Sequence, residues 1–87
     1  MPKLATLRKN IDRIDDMLLK AIKERVKVAA DIKELKYRQG QKKIDVKRER
    51  DIRKKIRKFC IENNLNAGKI LRMFEELFEL TRGRREK

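Results

Sequence analysis

The feature that most constrains this chain is a run of apolar residues spaced alternately three and four apart. Leu4, Leu7, Ile11, Ile14, Leu18 and Ala21 follow the pattern, and Val28, Ile32 and Leu35 resume it after a break at Arg25. That spacing keeps one face of an α-helix apolar through every turn, and sustained over several heptads it is a seam by which helices pair. The predicted helix runs from Thr6, a candidate N-cap, to about Gln39, with Gly40 as its stop. At 1.5 Å per residue such a helix is roughly 50 Å long, more than a globule of this chain length is wide. It must overhang its own domain or lie against a second copy.

Two shorter helices follow. After the loop Gly40-Gln41-Lys42-Lys43-Ile44, Asp45 is placed to cap a helix over 46–62, with Ile52, Ile56, Phe59 and Cys60 on one face. Asn63-Asn64-Leu65-Asn66 interrupts the pattern. Asn66 then caps a helix over 67–82 whose stripe is Ile70, Leu71, Met73, Phe74, Leu77, Phe78 and Leu80. The expectation is one all-α domain over 1–87, built of one long and two shorter helices. A chain of this length buries only about 60% of its unfolded surface, so a second copy is a plausible source of further core.

Composition narrows the chemistry. There is no His, which excludes a Ser-His-Asp triad, an imidazole base and the usual zinc sites, so no metal is expected. Cys60 is the one cysteine; no intrachain disulfide can form, and its apolar neighbours make it a small core residue. No apolar run reaches the roughly 18 residues of a membrane span. The N-terminus carries no apolar signal region, so a cytoplasmic protein is expected. The net charge of +13 suits either a nucleic-acid binder or an enzyme with a small anionic substrate. Taken alone, composition favours the first.

Charges on the apolar stripes reverse that order. Arg8, Ile11, Asp15, Leu18, Ile22, Arg25, Ala29, Ile32 and Lys36 share one helix face, and Arg25 stands in the seam between Ala21 and Val28. A guanidinium facing a core costs several kcal/mol to desolvate unless an anion meets it. It could instead snorkel from the stripe edge, or set the register of a coiled coil. Arg25 and Lys36 lie roughly 16 Å apart along the axis, close enough for two long side chains to converge on one small ligand. Arg8 lies roughly 25 Å from Arg25, out of reach within one chain. If two long helices pair antiparallel, crossing near residues 18 to 22, the partner's Arg8 falls between Arg25 and Lys36. A two-fold axis would then create two identical sites. On the second helix Glu49 shares a stripe with Ile52, Ile56 and Phe59, beside Arg48 and Asp45. On the third, Thr81 continues the spacing of Ile70, Phe74 and Leu77.

Taken together these residues resemble the all-α chorismate mutase family, over nearly the whole chain. Leu7-Arg8-Lys9-Asn10-Ile11-Asp12-Arg13-Ile14-Asp15 is similar to the family's L-R-x-x-I-D-x-I-D opening. Leu18-Leu19, Glu24-Arg25, Ala29-x-x-Ile32 and Lys36 continue it, Ile44-x-x-x-Arg48-Glu49 matches the start of the second helix, and Leu65, Ile70, Phe74 and Thr81 follow the third. The resemblance implies an intertwined antiparallel homodimer and a monofunctional isomerase, without a cofactor, that rearranges chorismate to prephenate in Phe and Tyr biosynthesis. It further implies that Arg25 and the neighbouring chain's Arg8 hold the substrate's carboxylates. Lys36 would contact a carboxylate and the ether oxygen. Glu49 and the backbone at Asp45 would bind the ring hydroxyl, Arg48 would order that cluster, and Thr81 would touch a carboxylate. One position departs: the family's Gln or Glu near the ether oxygen is Arg85 here, which can donate to a developing negative charge without being protonated first.

A [3,3] rearrangement suits this inventory, since it needs no nucleophile, base or metal. The rival readings are a basic helical nucleic-acid binder and a coiled-coil adaptor. Lys20, Lys23, Lys27, Lys33, Lys54 and Lys55 on outward faces would serve the first. It gives no reason for Glu49 to face inward beside Arg25 and Lys36, and nucleic acid is therefore the less favoured partner. The adaptor gives no reason to break the seam at Arg25.

Overall fold

The computed structural model describes residues 3–40 and 46–82. Three helices account for nearly all of them, with no strand among the described residues: α1 (Leu4–Arg38), α2 (Val46–Glu62) and α3 (Ala67–Thr81). The expected order and bounds hold to within two residues at each end. At the start of α1, Lys3 rather than Thr6 is the cap residue, and no side chain caps it. Thr6 already lies inside the first turn. The apolar pattern begins at Leu4, and the helix begins with it.

The helix ends follow local chemistry. Gly40 adopts the left-handed region (φ 68°), where a side chain would be strained, and its N–H bonds Tyr37 O at 3.1 Å. Lys36 and Arg38 in the last turn of α1 complement the negative end of the helix dipole. At the end of α2, Asn64 takes the same left-handed role (φ 56°), and Leu65 N reaches back to Cys60 O at 2.9 Å. Asn66 caps α3 as expected, its side chain accepting from Lys69 N at 3.0 Å. The expected Asp45 cap of α2 lies outside the described residues.

Helix α3 is the hub: α2 and the C-terminal half of α1 both pack on it, while among the described residues the backbones of α1 and α2 do not come into contact. Among the described residues the buried centre is small, consisting of Ile56, Cys60 and Phe78, with Cys60 fully enclosed as its apolar setting predicts. Of the stripes expected on α2 and α3, three members face outward instead: Phe59 on α2, and Met73 and Leu80 on α3. Each lies at the edge of its stripe, where a narrow helix–helix contact within one chain does not reach. From Lys3 to Ala21 every residue of α1 is exposed, including the seam residues Leu7, Ile11, Ile14 and Leu18. The molecule is 57 Å along its longest axis and about 25 Å across. The length is that of α1, whose first half stands clear of the rest. Among the described residues no helix is long and apolar enough to cross a membrane, and no group of side chains could hold a metal ion.

Candidate active site

Where the C-terminal half of α1 faces the start of α2 and the end of α3, the three helices enclose a cleft of about 540 Å³. Its apolar lining includes Val28, Ile32, Ile52 and Phe78. Its charged lining is one-sided: among the described residues, Arg25, Lys33, Lys36, Arg48 and Arg82 stand against the single carboxylate of Glu49. Five cations around one anion make a small dianion the ligand class that such a cleft favours.

Each charged side chain is placed by its helix. Arg25, in the seam, points to α3: its Nη1 donates to Thr81 Oγ1 at 3.4 Å, and its guanidinium carbon lies 5.7 Å from the centre of the Phe78 ring. Lys36 lies three turns along the same face and lines the same cleft. Thr81 serves α3 as well, its hydroxyl bonding Leu77 O at 3.0 Å and lying 3.2 Å from Phe78 O. Its single proton is thus engaged by the backbone while its oxygen accepts from Arg25. To touch a carboxylate, Thr81 would have to redirect that proton.

Glu49 is turned inward, its side chain only 14% exposed. Arg82 grips it with two bonds, Nη2 to Oε1 at 2.6 Å and Nε to Oε2 at 3.3 Å. Arg53 Nη2 lies 3.5 Å from the same Oε1. Arg53 is itself held by Glu75 through a second two-bond fork, with Nη2 to Oε1 at 3.1 Å, and lies 5.3 Å from the centre of the Phe78 ring. The hydrogen bond from Arg53 draws the Glu75 carboxyl below its ordinary value and raises the guanidinium above its own.

The structure therefore brings Arg25, Lys36, Arg48, Glu49 and Thr81 together around one cleft. Arg8 is exposed on the overhanging half of α1 and contributes nothing to the cleft of its own chain. Asp45 and Arg85 lie outside the described residues. Three participants were not expected. Lys33, assigned above to an outward face, is half-buried instead, lines the cleft and donates to Arg82 O at 3.1 Å. The signal was available, since Lys33 follows Ala29 by four and precedes Lys36 by three. Arg53 likewise follows Glu49 by four and precedes Ile56 by three, on the inward stripe. Arg82 follows Phe78 of the third stripe by four, but it stands at the very end of the expected helix, where spacing alone does not fix which way a side chain turns.

Residues 7–86, almost the entire chain, match the family model for chorismate mutase type II. The chain belongs to that family. It is also 42% identical over 77 residues to the chorismate mutase of Methanocaldococcus jannaschii, a match covering 88% of this chain and 78% of that one. No solved structure matches the chain. Its function is accordingly that of a chorismate mutase, an isomerase, and the cation-lined cleft is the candidate place for that chemistry. In a chorismate mutase the missing histidines cost nothing, since the reaction requires charge and shape around a substrate rather than proton transfer.

Proposed function

We propose that this cleft, completed by Arg8 of a second copy, binds chorismate and rearranges it to prephenate. The observation that carries the reading is the convergence of Arg25, Lys36, Arg48 and Glu49, drawn from two helices, on one cleft that apolar side chains also line. Arg25 and the partner's Arg8 hold the two carboxylates, for which planar guanidinium forks are suited. Lys36 donates to a carboxylate and to the ether oxygen as its C–O bond breaks and the new C–C bond forms. Glu49 Oε2 receives the ring hydroxyl together with the backbone at Asp45. Arg48 orders that cluster, Thr81 adds a contact to a carboxylate, and Arg85 donates to the ether oxygen. No atom is gained or lost, so no cofactor is required. The enzyme acts by holding the flexible dianion in its reactive chair and by fixing cations where negative charge develops.

The second copy is supported by what one chain leaves uncovered. Among the described residues one chain buries only Ile56, Cys60 and Phe78, a small core for three helices. The exposed seam Leu4, Leu7, Ile11, Ile14 and Leu18 is the apolar surface an antiparallel twin would cover. Crossing near residues 18 to 22 would bring Arg8 of each chain between Arg25 and Lys36 of the other. The reading keeps the enzyme in the cytoplasm and in the supply of Phe and Tyr, and the enclosed thiol of Cys60 is compatible with a reducing compartment.

The test is the loss of chorismate absorbance with purified enzyme, with Lys36→Ala as the control. Conversion to prephenate by the wild type, with kcat/KM in the variant reduced by a factor on the order of 10² to 10³, is the expected result. Equal turnover by the two proteins would remove the cleft assignment.

A further inference from the structure

All three helices meet at Arg82. Its N–H closes α3 on Phe78 O at 2.9 Å, its carbonyl receives Lys33 Nζ from α1, and its guanidinium forks onto Glu49 of α2. Among the described residues the backbones of α1 and α2 make no contact with each other, and this residue links the two helices through hydrogen bonds to both. Two parallel bonds fix the plane of a carboxylate as well as its position, which one ammonium cannot do.

The clamp matters because of where Glu49 stands. It shares the cleft with Arg25, Lys33 and Lys36 from α1 and with Arg48 from its own helix. Arg53, also on α2, approaches Oε1 and is itself tied to Glu75 of α3. An unrestrained Glu has three rotatable bonds and cations within the same cleft. It could turn toward them and neutralise the charges that a dianionic ligand needs. With both oxygens engaged by Arg82 at the α2–α3 side, that turn is blocked. Oε1 is taken up by two guanidinium groups, whereas Oε2 has one long contact and retains room for a further donor.

We infer that Arg82 is a positioning residue for the reaction: it presents Glu49 Oε2 to the ring hydroxyl and withholds that carboxylate from the cations that bind the substrate. The inference rests on the reading above that Glu49 receives the hydroxyl.

The experiment is a double-mutant cycle on the intact enzyme with Arg82→Gln, Arg82→Lys, Glu49→Gln and the two combinations, with thermal melts of each. Arg82→Gln is expected to raise KM about tenfold with kcat within about twofold, and Arg82→Lys to raise it about threefold, because charge returns without the fork. In the Glu49→Gln background neither Arg82 substitution should change kcat/KM by more than about twofold, since nothing is left to clamp. Arg82→Lys keeps the charge and both backbone bonds, so the cycle can be read even if Arg82→Gln does not fold. The same loss in both backgrounds, or unchanged kinetics for both Arg82 variants alongside an impaired Glu49→Gln, overturns the inference and leaves the role of Glu49 standing. Wild-type kinetics in Glu49→Gln itself would overturn that role, and the inference with it.

Discussion

Arg25 and Thr81 stand fifty-six positions apart and share a hydrogen bond of 3.4 Å. It links the seam of α1 to the last turn of α3 and fixes one wall of the cleft against another. The guanidinium is oriented twice over, by the hydroxyl and by the face of Phe78. An arginine held in this way has little conformational freedom left to lose when a carboxylate arrives.

Removing the hydroxyl tests that orientation. Thr81→Val keeps the shape and loses the acceptor, and should raise KM about tenfold, the low end for a hydrogen bond to a charged group. Thr81→Ser should remain close to wild type. Steady-state kinetics on the two variants decide it; equal KM values would mean that Phe78 alone orients Arg25 and that Thr81 makes no contact with the substrate's carboxylate.

The exposed half of α1 predicts an obligate partner. Ile11→Glu combined with Leu18→Glu places like charges in the seam, and should give a monomer by sedimentation equilibrium with activity lost. An active dimer would exclude this face as the interface.

A shared site predicts complementation. Arg8→Ala and Arg25→Ala are each expected to be inactive. After subunit exchange half of the dimers are mixed, each with one intact site, so activity should return to about one quarter of wild type. No recovery after exchange verified by mass spectrometry would place Arg8 outside the site.

The Arg53–Glu75 pair predicts a small dependence of stability on pH. Arg53 lowers the Glu75 carboxyl from its ordinary 4.5. A group lowered on folding stabilises the fold above its unfolded value and loses that contribution as pH falls through its folded value. Glu75→Gln should therefore lower Tm slightly at neutral pH, and the difference from wild type should vanish in strong acid. The effect is small because the Glu75 side chain is 45% exposed. A difference that persists in acid would assign it to packing instead.

Much of this architecture was legible beforehand because helices are local. Leu4 to Leu35 at three-four spacing dictated α1, Gly40 its end, and Asn66 the start of α3. Arg25 and Glu49 were legible as inward charges because their spacing put them on apolar stripes. Periodicity assigns a stripe but not its edges, which is why Phe59, Met73 and Leu80 belong to apolar stripes by spacing and yet face outward. Lys33 failed the other way: on a strongly basic helix one more lysine reads as solvent-facing until a neighbouring helix appears beside it.

What the sequence determined by itself is the helical repertoire, the apolar seam and the inward charges Arg25 and Glu49 of the candidate site, all set by bonds and spacings within a few turns. The tertiary structure alone decided that Arg82 would clamp Glu49, thirty-three positions away, and that Arg53 would reach Glu75 across twenty-two. Those pairings depend on how α2 and α3 lie against each other. An ion pair between helices is a property of their packing, and no periodicity along one chain encodes it.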